Sequence, residues 1–379
     1  MKKAFISSHN IISSLGFTSE ENFKNLASEV SGIQKYKRDN GEFYYSSQVE
    51  KNKIDGAFSE IGNVENYTTL EKMMILSVAN ILKDSQLKIT DRTGLIVATT
   101  KGNIDTLSPK SKFYSDKKRS YLPELGKQIQ RFFNFKNEAI VLSNACVSGV
   151  LAVAVAQRFV KDKLYDEVVI VSGDLVSEFI LSGFTSFQAI SDEPCKPFSK
   201  NRTGITIGEA VASAIVTSEK KEDSIEIVGA GSCNDANHIS GPSRTGEGLV
   251  LSVESALNEA NVSNNQIDYI SAHGTATNYN DEMEAVAFGR LNMLEVPINS
   301  LKGYYGHTLG ASGLLETIIG IKSLQNNTLI TSKGFDEIGV SEPINVIETT
   351  TNKELNIFLK TASGFGGCNT AVIFKKATD

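Results

Sequence analysis

The sequence predicts an α/β layered protein built from two similar halves. Two observations carry this. Short apolar runs of strand length alternate with amphipathic helices, and the runs lack the polar alternation of a half-exposed strand, as in sheets covered on both faces. The order of elements also repeats. Ser148-Gly149-Val150-Leu151 opens a helix that is followed by the strands VVIVSG and AVASAIV, and Ser312-Gly313-Leu314-Leu315 opens another followed by NIFLKTASG and TAVIF. The charged run Glu219-Lys220-Lys221-Glu222-Asp223 is the natural junction, giving halves of residues 1–222 and 223–379.

Residues 18–30 form the first predicted helix, opened by a Thr18/Glu21 capping box. A second, over 68–84, opens with Thr68/Glu71 and places Leu70, Met73, Met74, Ser77 and Ile81 on one face. Strands are expected at 94–99, 139–143, 168–172, 210–217, 268–272, 296–300, 356–362 and 370–375.

At 379 residues the chain exceeds one ordinary core. A net charge of −6 gives no global basic field for nucleic acid. Ser7, Ser8, His9 and Asn10 interrupt the first apolar stretch, which argues against a signal peptide, and no run reaches the ~18 apolar residues of a membrane helix. The expected setting is the cytoplasm. Cys146, Cys195, Cys233 and Cys368 are scattered without a C-x-x-C pair, so neither a disulfide framework nor a metal site is expected.

Four segments carry chemistry. In the first, 139–154, a strand ends, Cys146 follows, and an apolar helix begins at once. A thiol there meets the positive end of the helix dipole and free N–H groups, which favour the thiolate. In the second, a strand delivers His273 to Gly274, Thr275 and Thr277 follow at alternate positions, and Asp281 and Glu284 stand on the next helix's first turn. In the third, Lys302 and His307 sit at another strand-to-helix junction. Of the four histidines, His9 and His238 lack such a setting and read as structural. In the fourth, Gly364-Phe365-Gly366-Gly367 lets the backbone take positive φ and expose N–H groups, as an oxyanion hole or a tight strand connection requires.

Together these segments resemble the elongating β-ketoacyl-[acyl-carrier-protein] synthases, whose patterns A-C-x-[ST]-G, H-G-T-x-T-x-x-x-D-x-x-E, K-x-x-x-G-H-x-x-G-A-x-G and G-F-G-G-x-N all occur here in order. Weaker similarity runs through Ser31-Gly32-Ile33, the segment from Lys196 to Gly204, Gly208-Glu209 and the segment 234–242. The resemblance implies the thiolase fold, two βαβαβαββ halves in five layers α/β/α/β/α. It implies that Cys146 takes an acyl group from a carrier-protein thioester. His273 and His307 would assist decarboxylation of a malonyl thioester and stabilise its enolate. Lys302 would position the histidines, with Glu284 anchoring that network and Asp281 supporting it. Phe365 and Gly366 would gate the site and contribute, with the Cys146 N–H, to the oxyanion hole. Thr275 and Thr277 would bind the phosphopantetheine arm, which arrives on the carrier, so no cofactor of the chain's own is implied. Arg202 with Lys200 would dock the carrier.

The His–His pattern favours decarboxylative elongation over priming, which pairs Cys with His and Asn, and over thiolysis, which uses a second Cys. A homodimer is the default assembly. The alternatives are a heterodimer with a synthase-like subunit, a chain-length-factor-like role without catalysis, and hydrolysis or transfer from the acyl-cysteine. The chain departs from the pattern at Val147, Asp174, Thr203, Ile205 and Tyr304–Tyr305. These leave the acyl substrate open, with fatty-acid, polyketide or aryl-polyene-like products all compatible; Val147 is expected to narrow the acyl entrance, and Tyr304 and Tyr305 fill the gap between Lys302 and His307 with bulky aromatic side chains.

Overall fold

A computed structural model describes residues 3–38, 41–237, 239 and 241–377, so His238 lies outside the described residues. Ten strands form one sheet: β1 Phe5–Ile12, β2 Thr93–Ala98, β3 Ile140–Leu142, β4 Glu167–Asp174, β5 Ala210–Thr217, β6 Ile225–Asn234, β7 Tyr269–Ser271, β8 Ile298–Asn299, β9 Ile357–Gly364 and β10 Cys368–Lys376. The helices that matter for the site are α1 Ser19–Ala27, α2 Thr69–Ser85, α3 Ser148–Lys161, α4 Glu178–Ser186, α5 Glu247–Ala260, α6 Asn278–Arg290 and α7 Ser312–Asn326.

The two halves are plain in the strand order. From the centre outward one runs β1-β5-β4-β2-β3 and the other β6-β10-β9-β7-β8. In each, the first two pairings are antiparallel and the last two parallel. They join antiparallel where Phe5 faces Glu226 and Ile6 faces Ile225.

Side-chain alternation along the strands produces the layers. Leu95, Val97, Val169 and Val171 face α2, whereas Ile96, Ala98, Val168 and Ile170 face the opposite way toward α3 and α7. In the other half Ile270, Leu359 and Ile373 face α5 and α6, while Tyr269, Phe358 and Phe374 reach the same central cluster from the far side. Two sheet halves therefore sandwich a shared pair of helices, which gives the expected five layers. Both predicted capping boxes form, with the Thr18 and Thr68 side chains accepting from the N–H of Glu21 and Glu71. No helix among the described residues is long and apolar enough to cross a membrane.

β1 and β6, the strands that join the halves, were not legible as strands. In β1 two polar residues find partners inside: Asn10 donates to Ser77 Oγ at 3.3 Å and His9 Nδ1 lies 3.0 Å from Ser19 Oγ. Burial lowers the His9 pKa to about 4, so it is a neutral structural residue, as its setting implied. β6 contains Gly229 and Gly231 because α5 lies directly upon it. A Cβ at either position would come within 2.1 Å of a carbonyl oxygen, Ala256 or Ser252 respectively.

Glu209 precedes β5 and accepts from the N–H groups of Val49 and Val176 at 2.8 and 3.0 Å. Burial raises its pKa to about 7. The folded chain thus binds a proton there that the unfolded chain has released, and this contribution to stability is present below the unfolded carboxyl pKa and lost as pH rises to 7. Glu209→Gln cannot titrate. Its stability deficit against the parent is expected to be largest near pH 5 and to shrink by about 1–3 kcal/mol by pH 8, read by denaturant unfolding at each pH. A deficit independent of pH would contradict the raised pKa.

Candidate active site

The pseudo-symmetry builds the site. β3 and β8 occupy equivalent edges of the two halves, and each feeds one of the crossing central helices. Cys146 stands between β3 and α3, and His307 between β8 and α7. The helices meet at two glycines. A Cβ on Gly149 would lie 2.7 Å from Leu314 N, and one on Gly313 would lie 2.4 Å from Val150 N. The Ser-Gly echo in the sequence is this crossing, and it brings both helix N-termini to one point.

Cys146 is presented on a strained elbow. Ala145 takes φ +45°, a left-handed conformation that costs a residue with a Cβ about 1 kcal/mol or more. Ser148 clamps it, donating to the Ala145 carbonyl at 2.7 Å and accepting from Asn144 N–H at 2.8 Å. The helix start predicted a depressed thiol pKa. Burial instead pushes Cys146 up to about 12, with Lys302 pulling the other way. The resting group is a thiol, and its proton must leave to a base during attack.

Two imidazoles are at hand. One ring nitrogen of each of His273 and His307 lies with Cys146 Sγ in a set whose members are all within 4.8 Å of one another. The imidazole planes are nearly perpendicular, with centroids 5.1 Å apart. Burial, together with the positive charges of Lys302 and Lys360, holds both pKa values well below 6.5, so both rings are neutral at pH 7. His307 Nδ1 accepts the Leu309 N–H at 3.1 Å, which leaves the ring proton on Nε2 as a donor. Ser312 Oγ sits 3.0 Å from the same Nδ1. His273 Nδ1 has no partner among the described residues.

Glu284 fixes the His273 turn by accepting from the N–H groups of His273 at 2.8 Å and Gly274 at 2.6 Å, and burial raises its own pKa to about 7. Asp281 does the same for Thr275 N–H at 2.9 Å and Phe198 N–H at 2.8 Å. Lys302 Nζ donates to the His273 carbonyl and to Glu316 Oε1, the latter at 2.8 Å. The lysine's counter-ion is therefore Glu316, whereas Glu284 reaches the backbone. Glu316 also pairs with Lys360 at 2.6 Å, and Lys360 donates to the carbonyls of Ser271 and Ala272. Glu316, Lys360 and Ser312 escaped the sequence reading. The signal was present as two isolated charges of opposite sign inside apolar elements, SGLLETIIGI and NIFLKTASG.

A cavity of about 350 Å³ leads to Cys146, His273 and His307. Thr275 and Thr277 line it, their hydroxyls 2.9 Å apart. Thr203 and Ile205 line it too, so two of the departures face the substrate space. Val147, Tyr304 and Tyr305 do not narrow it: all three pack into the central core. Asp174 is buried beneath, accepting from Thr99 Oγ1 and from the N–H groups of Thr100, Lys101 and Gly310.

Phe365 stands at the mouth, stacked on Phe184 at 5.7 Å and edge-on to Phe187 at 5.4 Å. The Gly366 N–H is not free for an oxyanion, because it is given to the Ile239 carbonyl at 2.7 Å. Its glycine serves the turn instead, with φ +87° followed by +78° at Gly367. Of the docking pair, Arg202 needs correction. The Arg202 side chain is only 6% exposed and donates inward to the carbonyls of Ser199 and Gly339 at 2.9 and 2.5 Å, so it ties down a loop. Lys200 is exposed but pairs with Glu337 at 2.9 Å.

A buried thiol and two neutral imidazoles at the end of a cavity, on a doubled α/β fold, are an arrangement suited to cysteine-dependent acyl transfer. Residues 6–222 match "Beta-ketoacyl synthase, N-terminal domain" and residues 224–336 match "Beta-ketoacyl synthase, C-terminal domain". A putative mitochondrial 3-oxoacyl-[acyl-carrier-protein] synthase of Schizosaccharomyces pombe is 26% identical, with 99% of each chain covered. The 3-oxoacyl-[acyl-carrier-protein] synthase 2 of Rhizobium meliloti is 33% identical over 64% of this chain and 61% of its own. Among solved structures, a ketosynthase in complex with its chain length factor from Xenorhabdus doucetiae superposes with TM-score 0.88 at 24% identity, covering 99% of this chain and 98% of that one. The chain belongs to the β-ketoacyl synthase family of condensing enzymes.

Proposed function

We propose that this chain condenses an acyl group held on Cys146 with malonyl-acyl-carrier protein. The observation that carries the reading is the meeting of Cys146 Sγ with two neutral imidazoles at the end of one cavity. In the first step Cys146 Sγ attacks the acyl thioester, its proton passes through a histidine to the departing carrier thiolate, and the acyl-cysteine forms. The N–H groups of Cys146 and Phe365 are assigned to the tetrahedral oxygen.

In the second step the malonyl thioester loses CO₂, and its electron pair becomes an enolate. His307 Nε2–H and His273 donate to the enolate oxygen, in a field made positive by Lys302 and Lys360. The enolate carbon then attacks the acyl carbonyl, and Cys146 leaves as thiolate and takes up from solvent the one proton that loss of CO₂ from a carboxylate requires. The phosphopantetheine arm comes on the carrier, along Thr275 and Thr277. Because both rings carry depressed pKa values, neutral donors serve here without a pH switch between 6.5 and 8.

His273→Ala and His307→Ala are expected to slow CO₂ release from malonyl-carrier by about 10²-fold or more, and to slow acylation of Cys146 less. Intact mass reports the acylation. Variants that decarboxylate normally but cannot be acylated would reverse these roles.

The junction at 222/223 and a cytoplasmic setting go with this reading. So does a dimer. β3 is a three-residue outer strand of the sheet, and an open edge calls for cover. A homodimer is the simplest arrangement, since the proposed machinery lies in one chain. The chain-length-factor partner of the Xenorhabdus ketosynthase makes a heterodimer the second reading. Light scattering of the purified chain decides between them and an active monomer.

A further inference from the structure

The geometry points to an apolar docking rim for the carrier protein, in place of a basic one. The inference rests on the condensing-enzyme reading and concerns how the carrier is recognised. Whatever delivers a thioester must sit where its arm enters, so the surface around the cavity mouth is the docking surface. A permanently seated occupant is excluded there, because it would plug the only route that the described cavity offers to Cys146.

That rim carries four exposed apolar side chains. Ile239 is 70% exposed, Tyr279 80%, Phe187 55% and Phe365 37%. All four line the one cavity. Three of them are also tied together: Phe187 and Phe365 touch through their rings, and the Ile239 carbonyl holds the Gly366 N–H. Tyr279 enters from the first turn of α6. Isolated exposed apolar groups need no explanation, but their convergence on the mouth of a functional cavity marks an interaction site.

Among the described residues the cavity lining itself carries little charge, and the cations beside it are few: Arg38 reaches Thr185 Oγ1 at 3.4 Å next to Phe184, and Arg244 is exposed two residues beyond Pro242. No lysine or arginine lines the cavity, and its one carboxylate, Asp235, is held by Gly248 N–H at 2.7 Å and Asn369 Nδ2 at 2.9 Å. Arg202 is internal, and Lys200 is exposed beside Glu337 at 2.9 Å and is not among the residues lining the cavity. With a net charge of −6, the chain does not attract an acidic carrier at long range. The partner that fits is a carrier whose contact face presents apolar side chains around the arm. Burying such surface is insensitive to moderate salt, whereas a basic rim loses affinity as salt screens it.

The test uses the full chain and a panel of acyl carrier proteins loaded with one hexanoyl group. The rate of Cys146 acylation is followed by intact mass, with hexanoyl-pantetheine as the carrier-free control. Ile239→Ser and Tyr279→Ser are surface changes that leave the core intact. Each is expected to raise the half-saturating carrier concentration about tenfold, at least fivefold more than it raises that for hexanoyl-pantetheine, and to do so equally at 50 and 300 mM salt. The proposal is overturned if both variants take the carrier like the parent. It is equally overturned if Lys200→Glu weakens the carrier more than they do, or if parent affinity falls steeply with salt. A chain that is acylated as described yet forms no β-ketoacyl product would defeat the functional reading and leave the docking rim standing.

Discussion

Cys146→Ala is expected to abolish condensation, a loss of at least about 10⁴-fold of the kind that follows removal of a covalent nucleophile, while malonyl-carrier is still decarboxylated within about tenfold of the parent rate. The separation follows from the geometry. The thiol is needed only to hold the acyl group, whereas the enolate oxygen is met by His273 and His307, whose supports are elsewhere. His307 is oriented by Leu309 N–H, and the His273 backbone by Glu284 and Lys302. Cys146 is buried on a turn held by Ser148, so loss of one sulfur should not unfold it. Product is read as β-ketoacyl-carrier by mass, and decarboxylation as acetyl-carrier. Retained condensation would remove Cys146 from the mechanism. Simultaneous loss of decarboxylation, in a folded variant, would mean that the thiol also orders the histidines.

Much of this was legible in the sequence because each functional residue is announced by a backbone event. Cys146, His273 and His307 all stand where an apolar strand gives way to a small-residue turn, and the repeated Ser-Gly pair, read as an echo of two halves, lies where α3 and α7 cross. The hidden parts depend on what lies opposite in space. β6 is absent from the expected strands, and its Gly229 and Gly231 are explained only by α5 lying against them in space. The helix start argued for a reactive thiolate, but the surrounding core raises the thiol pKa, and burial depends on every neighbour rather than on the local chain. Arg202 reads as a surface cation in a polar segment. Its guanidinium turns inward because the carbonyls of Ser199 and Gly339 offer better partners than water.

The buried charges beneath His273 carry the last expectation. Glu316 is the common partner of Lys302 and Lys360, and all three are sealed from water between α7 and the ends of β7 and β9. Two ammonium groups share one carboxylate, and burial lowers the Lys360 pKa. Removing the carboxylate strands both cations, so Glu316→Gln is expected to destabilise the chain by about 3–5 kcal/mol, the usual cost of breaking a buried pair from one side. Replacing all three with apolar groups of similar volume, Lys302→Met with Glu316→Leu and Lys360→Met, removes the desolvation cost along with the attraction and should recover most of that stability. The triple variant should still be poor at decarboxylation, because the positive field around the enolate and the Lys302 bond to the His273 carbonyl are gone. Denaturant unfolding and CO₂ release then separate the two roles. Unchanged stability in Glu316→Gln would mean that the lysines are neutralised by another group, and full decarboxylation in the triple variant would reduce the cluster to a packing feature.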